Sequence, residues 1–318
     1  MEKDVSWKDF FRDDERYADV INGIGFGGRQ LVKGVDLEEA DTQTIFGGLQ
    51  ERSFGASITG GRRRMRRIRT RDMLRKVAFG VSFAMIGLEN QELVDYAMPL
   101  RCMVYDAGEY EKQTGKMRKI LRKQKDLRAG EYLYGFGKDS KLCPVVTFIL
   151  YGGREPWDGP RTLHEMLDIE GLPEEIRRLV ADYPLHLVDI RRLRDTGVFK
   201  TDVKQVFDFI RCAEDKKELY KLVQGDKSFQ CMEEDAYEVA TNYAGAEELI
   251  KVKDEYRGKD GKMDMCQALK ELLADERMEG VRSVVIRMIQ KGKDDEEIME
   301  LTGCSMEMLW ETRQSMKK

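Results

Sequence analysis

The amino-acid sequence predicts an α/β fold in which helices flank a central mixed sheet, followed by an α-helical C-terminal region. Short apolar runs rich in β-branched and aromatic residues, clearest at 144–151 and 185–190, alternate with helical patterns in the first part of the chain. From Asp202 onward the strand signals stop, and apolar residues recur at helical spacing between charged ones. We therefore predict a mixed domain at 1–195 and a helical region at 196–318.

The first elements are a predicted helix and a short strand. Apolar side chains in 7–22 fall close to one helical face, and the glycines that follow end this helix. Residues 29–37 are expected to form a short strand or a turn into one. The segment 41–61 contains several glycines and many polar residues, so we interpret it as a loop.

Two apolar segments, 73–77 and 81–88, flank Gly80 and can pair as a hairpin whose second strand is buried. A long helix is then predicted from about residue 91 to residue 114. The charged segment 115–131 is expected to form a turn or a helix with a solvated face.

Composition bounds the class of protein. Hydrophobic residues make up 41% of the 318 positions, which is enough for one large core or two smaller ones. Acids and bases nearly cancel to a net charge of −4, so any case for a nucleic-acid partner must rest on local clusters. Six cysteines without a CxxC pair, together with only two histidines, argue against a zinc site.

Location follows from the same features. The start Met1-Glu2-Lys3-Asp4 is followed by no apolar run, so no secretory signal is expected. No uncharged apolar stretch approaches the roughly 18 residues that span a bilayer, so no membrane partner is expected. Unpaired thiols fit a reducing compartment, and we predict a cytoplasmic protein.

The most basic stretch of the chain runs from residue 62 to residue 76 and indicates phosphate binding. So many arginines with one intervening acid favour DNA contacts over the alternative, a solvated loop and strand edge. Arg75 and Lys76 close the stretch. The residues that we assign to DNA binding here are Arg62, Arg63, Arg64, Arg66, Arg67, Arg69 and Arg71.

The predicted hairpin carries two carboxylates that suit metal-dependent chemistry. Asp72 lies in or beside its first strand, and Glu89 ends its second. If the strands pair, the two acids approach at one end of the sheet, and a divalent cation would relieve their repulsion. Gln91, two residues beyond Glu89, shares its face of the strand. Phosphodiester cleavage needs such a metal site. The alternative is that Asp72 is a strand-end charge and Glu89 caps the following helix.

Arg101 and Tyr105 lie four residues apart on the helix that follows this site. If Arg101 lies near Gln91, it can contact a DNA substrate, and we include it among the DNA-binding residues. The alternative is that Tyr105 packs and Arg101 pairs with an acid such as Asp106 or Glu109.

Several motifs in a fixed order resemble the PD-(D/E)xK-type domain of the recombination-promoting nuclease/transposase family. The similarity covers roughly residues 7–190, with a weaker likeness at 279–309. It rests on Ile86-Gly87-Leu88-Glu89-Asn90-Gln91, Tyr96-Ala97-Met98-Pro99-Leu100-Arg101, Tyr105-Asp106, the strand 144–152, Pro156-Trp157-Asp158-Gly159-Pro160 and Leu163-His164, with Arg71-Asp72 at the position of the first strand acid.

This resemblance implies a restriction-endonuclease-like core with an active site of Asp72, Glu89 and Gln91. It further implies Mg²⁺ as the cofactor, with Mn²⁺ as the alternative ion. An acid from the first helix often joins such sites, and Asp19 is the candidate metal ligand beside Asp72 and Glu89; the alternative for Asp19 is a solvated helix charge. Gln91 replaces the usual Lys and removes a cation from the site.

The resulting hypothesis is a Mg²⁺-dependent DNA endonuclease linked to recombination or mobile elements. Nucleases of this fold often cut as homodimers, because one site cuts one strand. Two alternatives stay open: a catalytically silent DNA-binding module on a nuclease scaffold, and a protein-interaction module in which the helical tail acts.

The tail ends in a pattern similar to a helix-turn-helix. A helix at 281–289 precedes Asp294, which with Glu297 fits an N-cap and capping box, and Ser305 caps the next helix after Gly303. The last helix carries few basic residues, unlike a DNA-reading helix. We therefore favour a small helical packing or oligomer module.

Overall fold

The computed structural model describes residues 2–48, 65–80, 82–123, 130–131 and 136–316. The chain divides into two compact units, Met1–Cys212 and Ala213–Lys318. The predicted boundary at residue 195 differs from this division, because the next segment packs on the N-terminus. Phe207 stacks on Trp7 with ring centroids 6.2 Å apart and meets Phe199 edge-on at 5.0 Å. Residues 196–212 therefore belong to the core of the first unit.

A five-stranded mixed sheet forms the centre of the first unit. Its order is β1-β4-β5-β6-β7, with antiparallel pairs from β1 to β5 and parallel pairs from β5 to β7. A separate two-stranded ribbon pairs β2 with β3. The prediction of a mixed sheet is confirmed, as are the strands predicted at 144–151 and 185–190. The strands are β1 Leu37–Glu39, β2 Gln43–Gly48, β3 Met65–Thr70, β4 Met73–Phe79, β5 Ser82–Gln91, β6 Val145–Tyr151 and β7 His186–Asp189.

The β4–β5 hairpin has the pairing that the sequence predicts. Met73 lies opposite Leu88 and Phe79 opposite Ser82, and Gly80 takes a positive φ of 64° at the turn. Asp72 immediately precedes the first of these pairs, and Glu89 immediately follows it. The hairpin therefore brings both acids to one end of the sheet.

The segment 41–61 is not simply a loop. Residues 43–48 pair with β3 in an antiparallel ladder that runs from Gln43 opposite Thr70 to Gly48 opposite Met65. Residues 49–64 lie outside the described part of the chain. Thr44, Ile45 and Phe46 have high strand propensity, which the surrounding glycines and polar residues obscured.

Five α-helices of the first unit have both ends within the described ranges. The single helix predicted at 7–22 is two helices, because Asp13 caps a new helix by accepting from the amides of Glu15 and Arg16. The long helix begins later than predicted, at Met98, and continues into the charged segment after residue 114. The helices are α1 Glu2–Phe10, α2 Asp14–Val20, α3 Met98–Leu121, α4 Glu174–Arg177 and α5 Val203–Cys212.

α3 and the N-terminal helices pack on the sheet. Met98 and Cys102 of α3 join Ile149, Tyr151 and Trp157 in one buried cluster. From α2, the hydroxyl of Tyr17 donates to the carbonyl of Ile86 at 2.8 Å. These contacts hold α3 against β6, and α2 against β5, the strand that carries Glu89.

Over residues 213–316 the regular elements of the second unit are helices, joined by a few isolated β-bridges, and the helical C-terminal region that the sequence predicts is confirmed. Its last three helices enclose a small core that includes Val285, Ile298 and Leu309. Asp294 and Ser305 act as N-caps, and Gly303 ends the intervening helix with φ 68°. The helices are α6 Lys216–Gly225, α7 Glu234–Ala244, α8 Glu247–Lys251, α9 Met265–Gln290, α10 Asp295–Thr302 and α11 Met306–Ser315.

Within the described ranges, no helix combines the length and the apolar run that crossing a membrane requires.

Candidate active site

Asp72 and Glu89 are held together by reciprocal hydrogen bonds between the ends of β4 and β5. The amide of Asp72 donates to Glu89 Oε1 at 3.1 Å, and the amide of Asn90 donates to Asp72 Oδ2 at 3.0 Å. Each carboxylate thus accepts from the backbone of the neighbouring strand. One oxygen of each side chain is fixed by the fold, and the other is left to meet a cation.

The Glu89 side chain is fully buried. Its pKa is raised to about 7. Burial is the largest cause of this rise, and the negative charge of Asp72 is the second. Arg101, the Asp72 amide and Arg71 oppose the rise. The site therefore lacks enough positive charge to keep Glu89 as acidic as an ordinary glutamate, which is the condition that a divalent cation would relieve.

Two basic side chains now contact the outer carboxylate oxygens. Lys8 Nζ, from α1, lies 3.1 Å from Asp72 Oδ1. Arg101 Nη2, from α3, lies 3.2 Å from Glu89 Oε2. The sequence identified Arg101 but missed Lys8, because no local pattern relates α1 to a strand that follows so much later. Two helices, α1 and α3, thus supply cations to the acid pair.

Arg101 is oriented by two side chains besides Glu89, those of Tyr105 and Asp95. Its Nε donates to the hydroxyl of Tyr105 at 2.9 Å, which in turn donates to the carbonyl of Thr70 at 3.1 Å. Its Nη1 lies 3.2 Å from Asp95 Oδ2. The alternative prediction is that Arg101 pairs with an acid such as Asp106 or Glu109. Arg101 does pair with acids, but these are Glu89 and Asp95. Its place beside the acid pair agrees with the hypothesis that it lies near the site.

Gln91 ends β5 two residues after Glu89 and so shares its face of the strand. Its carbonyl accepts from the amide of Gly152 at 3.0 Å, and its side chain is half-buried. The strand brings Glu89 and Gln91 to one edge of the sheet, as expected.

Asp19 has a structural role in this molecule. Its buried carboxylate accepts from the amide of Lys200 at 2.8 Å, and from the amide and hydroxyl of Thr201 at 2.7 Å each. These bonds tie α2 to the turn that precedes α5. The expectation that Asp19 joins Asp72 and Glu89 as a metal ligand is therefore corrected: its oxygens are committed to backbone and hydroxyl donors elsewhere.

Arg71 is a core residue, and its assignment to DNA binding is corrected as well. Its side chain is 3% exposed and pairs with Asp106. Asp106 also accepts from Thr147 Oγ1 at 2.7 Å and from the Tyr183 hydroxyl. A buried cation that is already paired by this network is not accessible to a phosphate.

The remaining arginines of the basic stretch divide between two regions. Arg62, Arg63 and Arg64 lie outside the described residues. Arg66, Arg67 and Arg69 are on β3, which runs directly into Asp72. The base of the ribbon is held beside the site, where the amide of Arg71 donates to the carbonyl of Thr42 at 3.1 Å.

The donors present fit a magnesium ion that has two protein ligands. In the parts of the chain that the structure describes, no group of three or more His, Cys, Asp or Glu side chains could hold a metal. Mg²⁺ is commonly bound by one or two carboxylates and completed by water and substrate phosphate, and Asp72 with Glu89 matches that number of carboxylates. Burial is the main cause of the rise in the pKa of Glu89 to about 7, and the negative charge of Asp72 adds to it, so a cation held here would lower this pKa.

Comparisons of this chain with models of known protein families, with curated proteins and with solved structures find no match.

Proposed function

We infer that the first unit is a Mg²⁺-dependent DNA endonuclease with a restriction-endonuclease-like core, related to the recombination-promoting nuclease/transposase family that its motifs resemble. One observation carries this inference. Asp72 and Glu89 exchange backbone hydrogen bonds across β4 and β5, so two acids meet at one sheet end with Gln91 beside them.

Asp72 and Glu89 would hold the ion through the oxygens that now contact Lys8 and Arg101. When bound, Mg²⁺ lowers the pKa of water and offsets the negative charge that develops on a phosphate under attack. The reciprocal backbone bonds keep the two carboxylates in place before the ion arrives, so that little ordering is left to binding.

The chain replaces the charge that Gln91 lacks. A lysine at the position of Gln91 would supply a cation from β5 itself. Here Lys8 Nζ and Arg101 Nη2 lie 3.1 Å and 3.2 Å from the two carboxylates, delivered by α1 and α3. With an ion held by these carboxylates, Lys8 and Arg101 would be the cations available to contact the substrate phosphate. The amide of Gln91 contributes a neutral donor and acceptor at the same edge.

DNA would approach along the arginine-rich ribbon. A two-stranded antiparallel ribbon has dimensions that the major groove admits, and arginines on such a ribbon suit the phosphate backbone. β3 carries Arg66, Arg67 and Arg69 and is continuous with Asp72. DNA held by this ribbon would therefore lie beside the acid pair.

The test is cleavage of supercoiled plasmid in Mg²⁺, in Mn²⁺ and in EDTA by wild type, Asp72→Asn and Glu89→Gln. These substitutions keep side-chain size and remove the charge. We expect nicking that requires the metal and a loss of about 10²–10³-fold in each variant, equivalent to several kcal/mol. Glu174→Gln, in the exposed helix α4, is the matched control and should cut like wild type.

A second candidate is a DNA-binding scaffold without catalysis. Lys8 and Arg101 already contact the two outer oxygens, which is an arrangement that can stand without an ion. Absence of cutting in both metals, with wild type and variants binding DNA alike, would favour this candidate over the nuclease.

A further inference from the structure

The C-terminal half of α3 and the residues just beyond it form a basic surface. From Lys112 to Lys125 the sequence contains no Asp or Glu. Five cations in this stretch are exposed, and none is ion-paired within the described part of the chain: Lys116, Arg118, Lys119, Arg122 and Lys123, here called the α3 basic surface.

Neighbouring acids are already matched by other cations. Glu109 and Asp41 lie 3.2 Å and 3.6 Å from Lys112 Nζ, and Glu38 lies 3.2 Å from Lys76 Nζ. The helix dipole attracts cations to the last turn of a helix, but this surface begins earlier, at Lys116. Neither pairing with nearby acids nor the helix dipole therefore explains the positive charge of these five side chains.

Two members of the α3 basic surface, Lys116 and Lys119, lie on the same side of α3 as Arg101. At 3.6 residues per turn, Lys112, Lys116 and Lys119 project within about 60° of the direction of Arg101. The rise from Arg101 to Lys119 is about five turns, or about 27 Å. One line along α3 thus joins Arg101, which contacts Glu89, to the basic surface.

We propose that the α3 basic surface binds the sugar-phosphate backbone of duplex DNA at a distance from the phosphate that is cut. This inference rests on the proposed nuclease function. At about 3.4 Å per base pair, 27 Å corresponds to about eight base pairs. The helix sets the distance between two contacts. Arg101 lies at the scissile phosphate, while Lys116 and Lys119 contact phosphates of the same duplex about eight base pairs away.

The test measures duplex binding in EDTA, so that binding is separated from cutting. Fluorescence anisotropy at several salt concentrations compares wild type with a Lys116→Gln/Lys119→Gln double variant. The loss of two phosphate contacts should weaken binding about tenfold and make the slope of log K against log salt shallower by about 1.8. A Lys217→Gln/Lys291→Gln variant removes the same charge from exposed positions of the second unit and should bind like wild type.

Duplex length provides an independent readout. A duplex of about five base pairs cannot reach both Arg101 and Lys119, whereas one of about twenty can. Wild type should therefore bind the longer duplex more tightly than the shorter one. The increase in affinity should exceed the increase in the number of positions at which the protein can bind. The Lys116→Gln/Lys119→Gln variant should lack this gain.

The outcomes separate this inference from the nuclease proposal. Equal binding and equal salt slopes for wild type and the Lys116→Gln/Lys119→Gln variant overturn the proposal that the α3 basic surface binds DNA, even if the plasmid is cut. Reduced binding by the variant, without plasmid cutting in any metal, supports the surface and overturns the nuclease. Absence of duplex binding, with recruitment of wild type but not the variant to phosphatidylserine vesicles, overturns the DNA assignment in favour of an anionic membrane.

Discussion

Glu89 illustrates how burial and a neighbouring acid act on a single carboxylate. A fully buried carboxylate beside a second acid is unfavourable unless something neutralises it, and Arg101 does so only in part. The fold keeps this arrangement by giving one oxygen of each acid a backbone donor. Side chains placed against their own electrostatic preference often mark functional sites.

The pH dependence of stability follows from the raised pKa of Glu89. Between its ordinary pKa of 4.5 and about 7, the folded protein keeps a proton that the unfolded chain has released. Raising the pH through this window in EDTA should therefore lower the free energy of unfolding, by up to about 3 kcal/mol. Urea unfolding of wild type and Glu89→Gln at a series of pH values measures it. Parallel pH profiles for the two proteins would contradict the assignment.

At the scale of elements, α2 is joined to the start of α5 through Asp19. The two helices are distant in the chain, and the carboxylate satisfies the amides of Lys200 and Thr201 together with a hydroxyl. The same carboxylate, viewed in sequence alone, resembles a spare metal ligand. Asp19 accepts hydrogen bonds instead of binding a metal because the turn before α5 packs against α2 and supplies the donors.

Asp19→Ala should therefore affect stability and leave the metal requirement unchanged. Two amides lose their acceptor, which costs about 2–4 kcal/mol in the free energy of unfolding. Urea unfolding measures this loss, and the Mg²⁺ concentration for half-maximal cutting should match that of wild type. A shifted metal requirement at unchanged stability would instead restore Asp19 to the metal site.

At the scale of the whole molecule, the first unit extends beyond the predicted boundary. Phe199 and Phe207 come from residues after 195 and complete the aromatic core around Trp7. The second unit has its own buried cluster around Val285 and Leu309. Each unit therefore has the separate core that independent folding requires.

Two N-terminal fragments test this division. A fragment ending at Cys212 keeps Phe199 and Phe207 and should unfold cooperatively, whereas one ending at residue 195 loses both and should be much less stable. Replacement of one buried phenylalanine typically costs about 3–5 kcal/mol, so removal of two should unfold the shorter fragment. Circular dichroism during thermal unfolding distinguishes them. Similar transitions for both fragments would place the boundary at 195 after all.

Much of the fold was predictable because local patterns encode it. Strand periodicity at 144–151 and 185–190 depends only on neighbouring residues, and so does the hairpin around Gly80. The ribbon strand 43–48 was missed, because its partner lies on the far side of a long intervening segment.

The sequence by itself determined the mixed sheet, the helical tail and the meeting of Asp72 with Glu89, since strand register brings these acids together once the hairpin forms. Only the tertiary structure decided that Arg71 is buried against Asp106, that Asp19 binds the Lys200 turn and that Lys8 reaches Asp72. These contacts join residues far apart in the chain. Their free energy depends on burial and on which donors lie nearby, and neither is set by local sequence.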